Sequence, residues 1–162
     1  VRLVLLDNRW AKDGFDVKGG DMLGEAQWAL LRRELETEAW NDEFHVTLVM
    51  AGLQMLSRSK LAVAETFFRH PRSQARLLAL LGLGRAKRVV LLSGDVHYAE
   101  ISRLACKAVG YPLFDVTSSG MTHSWRGPIL SPLIHYYVGD HLRPPAAPHM
   151  FDGLNFGEID FD

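Results

Sequence analysis

The sequence predicts an α/β fold built on a mixed sheet, and three observations predict it. Short apolar runs of strand length recur along the chain. Between the early runs lie stretches whose apolar residues return at helical spacing. The later strand candidates follow one another without long helices, so the sheet is expected to mix parallel and antiparallel strands.

Taken in order, Arg2 to Leu6 is an apolar run ended by Asp7-Asn8 and reads as a buried strand. Asp13 to Gly20 contains Gly14, Gly19 and Gly20 and reads as a loop. From Leu23 the period changes. Leu23, Ala26, Gln27, Leu30, Leu31 and Leu35 share one helical face, with Arg32, Arg33, Glu34 and Glu36 opposite. Glu25 falls in the first turn, where the helix dipole favours an anion. Phe44 to Ala51 is a second strand, ended by Gly52 and a polar loop. Pro71 opens a second helix, which Gly82 and Gly84 are expected to stop near Leu81. Val89 to Leu92 is a third buried strand. Ile101 to Ala105 and Leu113 to Thr117 are further strands, with Ser118-Ser119-Gly120 as a turn. Arg126 to His149 carries five of the seven prolines and reads as irregular surface structure. Phe156 to Phe161 alternates apolar with acidic residues, as an edge strand would.

Composition limits the function classes. With 162 residues, the chain is long enough for one domain with a real core. A net charge of −1 gives no reason to expect nucleic acid or a membrane surface as a partner. Eight Lys/Arg against one acidic residue between Arg58 and Arg88 could attract a phosphorylated polymer, but read first as the solvated face of a helix and its loops. No apolar run is long enough to span a membrane. The one cysteine, Cys106, rules out an intrachain disulfide and a Cys-based zinc finger, and reads as a buried thiol. No signal peptide is visible, and strand-like residues begin at Val1, which points to residues upstream.

The strongest chemical signal is Leu91-Leu92-Ser93-Gly94-Asp95-Val96-His97. Ligands in α/β proteins gather at the carboxyl ends of strands. Here an apolar strand delivers a carboxylate and an imidazole to that place, a donor pair suited to Fe, Mn, Zn or a mixed pair. Gly94 is expected to let the backbone turn so that both face one point. A capped turn with a surface His is the plainer alternative.

Several stretches together resemble the PhoD-like branch of the metallophosphoesterases. They are Leu5 to Trp10, Met22 to Trp28, Ala51 to Gln54, Ser93 to Glu100, Thr117 to His123 and Asn155 to Gly157, in register over nearly the whole chain. The resemblance implies part of a four-layer α/β/β/α sandwich with a metal centre at the strand ends. It also implies hydrolysis of phosphate mono- or diesters by a metal-bound hydroxide, with a metal pair drawn from Fe, Ca, Mn or Zn. Asp95 and His97 then stand as metal ligands. Gln54 stands where the superfamily usually places a His, as a weaker ligand or as a residue orienting water or phosphate. Arg9 is a candidate for a bidentate phosphate contact, against the alternative of a surface Arg paired with a carboxylate. His123 is a candidate to reach the metal centre or protonate a leaving group, against a loop His bonded to nearby backbone.

The early metal motifs of that superfamily are absent. Gly20-Asp21-Met22-Leu23-Gly24 fails because Gly24 stands where Asp or Asn is needed. The whole of 1–162 is therefore expected to be a single partial domain, the C-terminal portion, whose partners are a small phosphate ester and the missing N-terminal half. The competing reading is a catalytically silent fragment acting as a structural or interaction module, with a sheet face left uncovered.

Other patterns carry less. Ser118 and Ser119 lack a nucleophile elbow. Gly82-Leu83-Gly84 lacks the third glycine of a dinucleotide fingerprint and precedes a strand. His45 and His70 read as structural, Trp28 as core, and His135, His141 and His149 as surface residues.

Overall fold

Burial alternates residue by residue along the first strand, and that alternation holds the plan of the molecule. In the computed structural model, which describes residues 1–36, 46–57, 65–83, 88–105, 107, 109–138 and 150–161, one sheet contains β1 (Arg2–Leu6), β2 (Thr47–Ala51), β3 (Val89–Ser93), β4 (Ala99–Ala105) and β5 (Pro112–Ser118). The strand order is β1-β2-β3-β5-β4. β1, β2, β3 and β5 run parallel, and β4 is antiparallel to β5. The mixed α/β sheet is the one expected.

One face of the sheet is covered by α1 (Glu25–Glu36) and α2 (Pro71–Leu83). Val4, Val49 and Leu91 stand in register on that face and pack with Trp28, Leu31 and Leu35 of α1 and Leu77, Leu80 and Leu81 of α2. The same row continues onto β5 and β4 as Asp115 and Ser102, both buried. The covered face therefore changes from apolar to polar as it crosses the sheet.

The opposite face is apolar and largely open. Leu5, Met50, Leu92, Val116 and Ile101 form one registered row across all five strands. Leu5 is 64% exposed, Met50 41% and Ile101 42%. Phe156 and Ile159 from the tail line a groove with Met50, Leu92 and Val116, so the tail lies over part of this face.

Local chemistry explains the helix starts. The Asp21 carboxylate accepts the Gly24 N–H at 2.7 Å, and the Gly24 carbonyl accepts from Gln27 and Trp28. Gly24 has φ +75°, a conformation that costs glycine little. At α2, the His70 carbonyl accepts the Gln74 N–H, and Pro71 follows where no N–H is needed. The helix runs through Gly82 to Leu83, further than expected; Gly84 lies outside the described residues.

Two expectations are corrected. Leu130–Val138 is a helix, α3, within the stretch read as irregular. Pro132 sits in its first turn, where the missing N–H would have had no helical partner. Phe156 to Phe161 pairs with no strand among the described residues. His45, Cys106, His141 and His149 lie outside the described residues. No helix among the described residues is long and apolar enough to cross a membrane.

Candidate functional site

The ends of the parallel strands converge on one rim. At the end of β1, Gln27 grips the Asp7 backbone from both sides. Its Oε1 accepts the Asp7 N–H at 2.7 Å, and its Nε2 donates to the Asp7 carbonyl at 2.6 Å. The Asp7 carboxylate accepts the backbone N–H groups of Arg9 and Trp10, which hold its pKa below the usual carboxylate range. This turn sends Arg9 across the rim. Its guanidinium donates through Nη2 to Asp95 Oδ1 at 2.7 Å and through Nη1 to Glu65. Arg9 thus pairs with two carboxylates, the plainer of the two readings of this residue. Glu65 was not singled out in the sequence. Its signal was its isolation, as the one acidic residue between Arg58 and Arg88.

At the end of β3 the backbone is strained. The Val96 N–H donates to the Gly94 carbonyl at 3.0 Å around Asp95, whose φ is +74°. A bond from residue i+2 back to residue i with positive φ between them marks the rare, strained γ-turn. His97 follows at φ +60°, in the left-handed region. The sharp turn therefore rests on Asp95 and His97 rather than on Gly94, as had been expected. A methyl group at Gly94 would meet the Gly52 carbonyl and Ser119 at ordinary contact distances of 3.5 and 3.6 Å.

Side chains from the segment after β5 hold this tip. Ser119 Oγ accepts the His97 N–H at 2.9 Å. Trp125 Nε1 donates to the Val96 carbonyl at 2.6 Å. The His97 ring lies 5.9 Å from the His123 ring and 6.2 Å from the Trp125 ring, centroid to centroid. The structure thus brings His97 and His123 together on the exposed rim and ties Asp95 to Arg9. Asp95, His97 and His123 are open to solvent. Among the described residues, no three His, Cys, Asp or Glu side chains converge closely enough to hold a metal ion. One carboxylate and one imidazole fit a metal in kind, but they are too few to complete a shell.

Gln54 is placed elsewhere. It is 1% exposed and points beneath the rim into a buried polar network. Its Nε2 donates to Thr117 Oγ1 at 3.0 Å and to Glu100 Oε2 at 3.2 Å, and its Oε1 accepts from the Tyr98 hydroxyl at 3.2 Å. The amide is bonded to these three partners in the interior, and among the described residues it makes no hydrogen bond to Asp95 or His97. Asp115 lies at the other end of the network. It accepts the Met55 and Leu56 N–H groups at 2.8 and 2.9 Å and the Ser93 hydroxyl at 2.7 Å. Burial pushes its pKa up despite these bonds, and the neighbouring charge of Glu100 adds to the rise.

With this geometry in view, comparison with known proteins is informative about the fold. No family model matches the chain. No curated protein matches it at a significant level. Among solved structures, it superposes on PhoD with a TM-score of 0.66 at 14% identity, over 93% of this chain and 32% of that one. The likeness is one of fold, and the chain spans about a third of the PhoD chain.

Proposed function

We propose that this chain supplies the C-terminal part of the site of a metal-dependent phosphoesterase, with Asp95 and His97 as metal ligands on the rim. The strained turn at Asp95 is the observation that carries the reading. Positive φ at two polar residues, Asp95 and His97 on either side of Val96, costs of order 1–3 kcal/mol per residue. Here it stands at the carboxyl end of a central parallel strand, where α/β folds bind ligands. The PhoD-like fold supports the phosphoesterase class over other hydrolases.

In this reading the substrate is a small phosphate mono- or diester. A bound divalent or mixed-valence metal pair (Fe, Ca, Mn or Zn) would supply Lewis acidity and make hydroxide available near neutral pH. Asp95 and His97 would hold part of that pair. His123, whose ring lies 5.9 Å from that of His97, would give a proton to a leaving oxygen. Arg9 would turn from its carboxylates to an incoming phosphate, whose planar oxygen pair matches a guanidinium. Since two donors do not complete a metal shell, the remaining ligands would come from a second layer over the open apolar face. That layer would complete the sandwich and bury the Leu5–Ile101 row.

Metal binding and activity test the reading separately. Titration of the chain with Mn²⁺, Co²⁺ and Zn²⁺ should show weak binding that Asp95→Asn and His97→Ala each abolish. An aryl phosphate and a bis-aryl phosphate should be turned over little or not at all by this chain alone. They should be turned over in the presence of the second layer. Metal binding indifferent to both substitutions would remove the rim from the site and favour a silent interaction module, for which the open apolar face is the supporting observation.

A further inference from the structure

We infer that Asp115, acting through Ser93, is the positioning residue that holds the Asp95–His97 tip in its strained form. The inference rests on the reading of that tip as the metal-binding rim.

The tip is short, and the same buried network clamps it at both ends. Gly94 to His97 lie between Ser93 and Tyr98, and the side chains of both enter the interior. Ser93 Oγ donates to Asp115 Oδ1 at 2.7 Å and is 2.8 Å from Thr117 Oγ1. Tyr98 donates to Gln54, and Gln54 donates to Thr117. When Asp115 is ionised the Ser93 proton is used on it, and the Thr117 hydroxyl then donates to Ser93. The bonds then run one way, from Tyr98 through Gln54, Thr117 and Ser93 to Asp115, which ends the chain as an acceptor. Asp115 also receives two backbone N–H groups from the segment after Gln54, tying the end of β2 to the ends of β3 and β5.

A γ-turn around a non-glycine residue persists only where its surroundings over-determine it. Among the described residues, the contacts above the turn are the Arg9 pair, the Ser119 hydroxyl, the Trp125 indole and the His123 and Trp125 rings beside His97. The network beneath fixes the two residues from which the turn springs. Low-dielectric burial makes each of its bonds count for more, and each loss cost more, than at the surface.

The bonding also says which substitution spares the tip. Both backbone amides bind Oδ2, and among the described residues Oδ1 takes only the hydroxyl. Asparagine can therefore keep an oxygen on the amides and turn its NH₂ to Ser93 Oγ, reversing one bond while holding the contact. Alanine loses all three.

Amide hydrogen exchange on the chain tests this, with Co²⁺ absorption as a second readout. In Ser93→Ala and Asp115→Ala, exchange at Val96 and His97 should speed up by about tenfold or more, while Trp28 and Leu77 keep their wild-type rates. Asp115→Asn should stay within about threefold of wild type at the tip. Ser93→Ala carries the test if Asp115→Ala does not fold. Wild-type exchange at the tip in Ser93→Ala would overturn the inference, as would equal loosening of the tip and the helices. If the tip loosens as expected but no form of the chain binds Co²⁺, the metal reading fails while the mechanical link stands.

Discussion

Arg9 donates to Asp95 at 2.7 Å, so the proposed phosphate ligand and a proposed metal ligand neutralise each other on the rim. The pair is more than one-third solvent-exposed, and such pairs contribute about 0–1 kcal/mol. A divalent ion approaching Asp95 must displace this bond and tolerate the cation beside it. Arg9→Ala should therefore raise the affinity of the rim for Mn²⁺ by up to about fivefold, with little change in thermal stability. Titration calorimetry reads the first quantity and a melting curve the second. A loss of Mn²⁺ affinity would show that Arg9 supports the ion site rather than competing with it.

Asp115 makes stability depend on pH in a direction opposite to that of most surface carboxylates. Its folded pKa is raised, so the folded state holds the proton more tightly than the unfolded chain. That stabilisation is full below the ordinary carboxylate value of about 3.9 and is lost as pH rises through the raised folded value. Asp115→Asn cannot titrate. Relative to wild type it should gain stability as pH increases from about 4 to 8. Chemical denaturation at both ends of this range measures the difference, and parallel pH profiles for the two proteins would contradict it.

Asp21 has the opposite sign. Burial would raise its pKa, but hydrogen bonds from Ser73, Trp28, Gly24 and Met22 together outweigh burial and hold it below the usual range. Its stabilisation is present above the ordinary carboxylate pKa and is lost as pH falls through the depressed folded value. Asp21→Ala removes the acceptor for Gly24 at the start of α1 and leaves Trp28 Nε1 and Ser73 Oγ seeking partners. The expected cost is about 1–3 kcal/mol at neutral pH, shrinking in acid. Trp28 fluorescence during urea unfolding reports it directly, and a cost unchanged at low pH would argue against the ionised Asp21 as its source.

The sheet was legible because three parallel strands are apolar runs bounded by polar or glycine residues, a signal carried within each segment. The position of Asp95 and His97 at a strand end was legible for the same reason. What joins segments was not. Gln54 reads as a rim residue because it follows a strand, yet its partners Tyr98, Glu100 and Thr117 come from β4, β5 and the segment leading into β4. No local pattern announces a network assembled from residues some 40 to 60 positions apart. Glu65 was missed for a related reason, since its meaning depends on Arg9 across the rim. The α3 helix was hidden by a count of prolines that ignored position: Pro132 in a first turn does not oppose a helix, whereas a central proline would.

The open sheet face yields the last prediction. Leu5 and Met50 stand in register on it, 64% and 41% exposed, in a row that runs unbroken to Ile101. Their neighbours Val4 and Val49 point the other way and are 5% and 0% exposed. Alternation along a strand thus separates two classes of apolar residue that composition cannot tell apart. Val49→Ala should cost about 1–3 kcal/mol, because it opens a cavity against α1 and α2. Leu5→Lys with Met50→Lys should change stability by no more than about 0.5 kcal/mol, because both side chains stay largely open to solvent. The double substitution should also suppress concentration-dependent self-association, since a contiguous exposed apolar patch drives it. Sedimentation velocity across a concentration series reads association, and urea denaturation reads stability. If the lysine pair unfolds the chain, the face is already covered in solution, and this sheet is not waiting for a second layer.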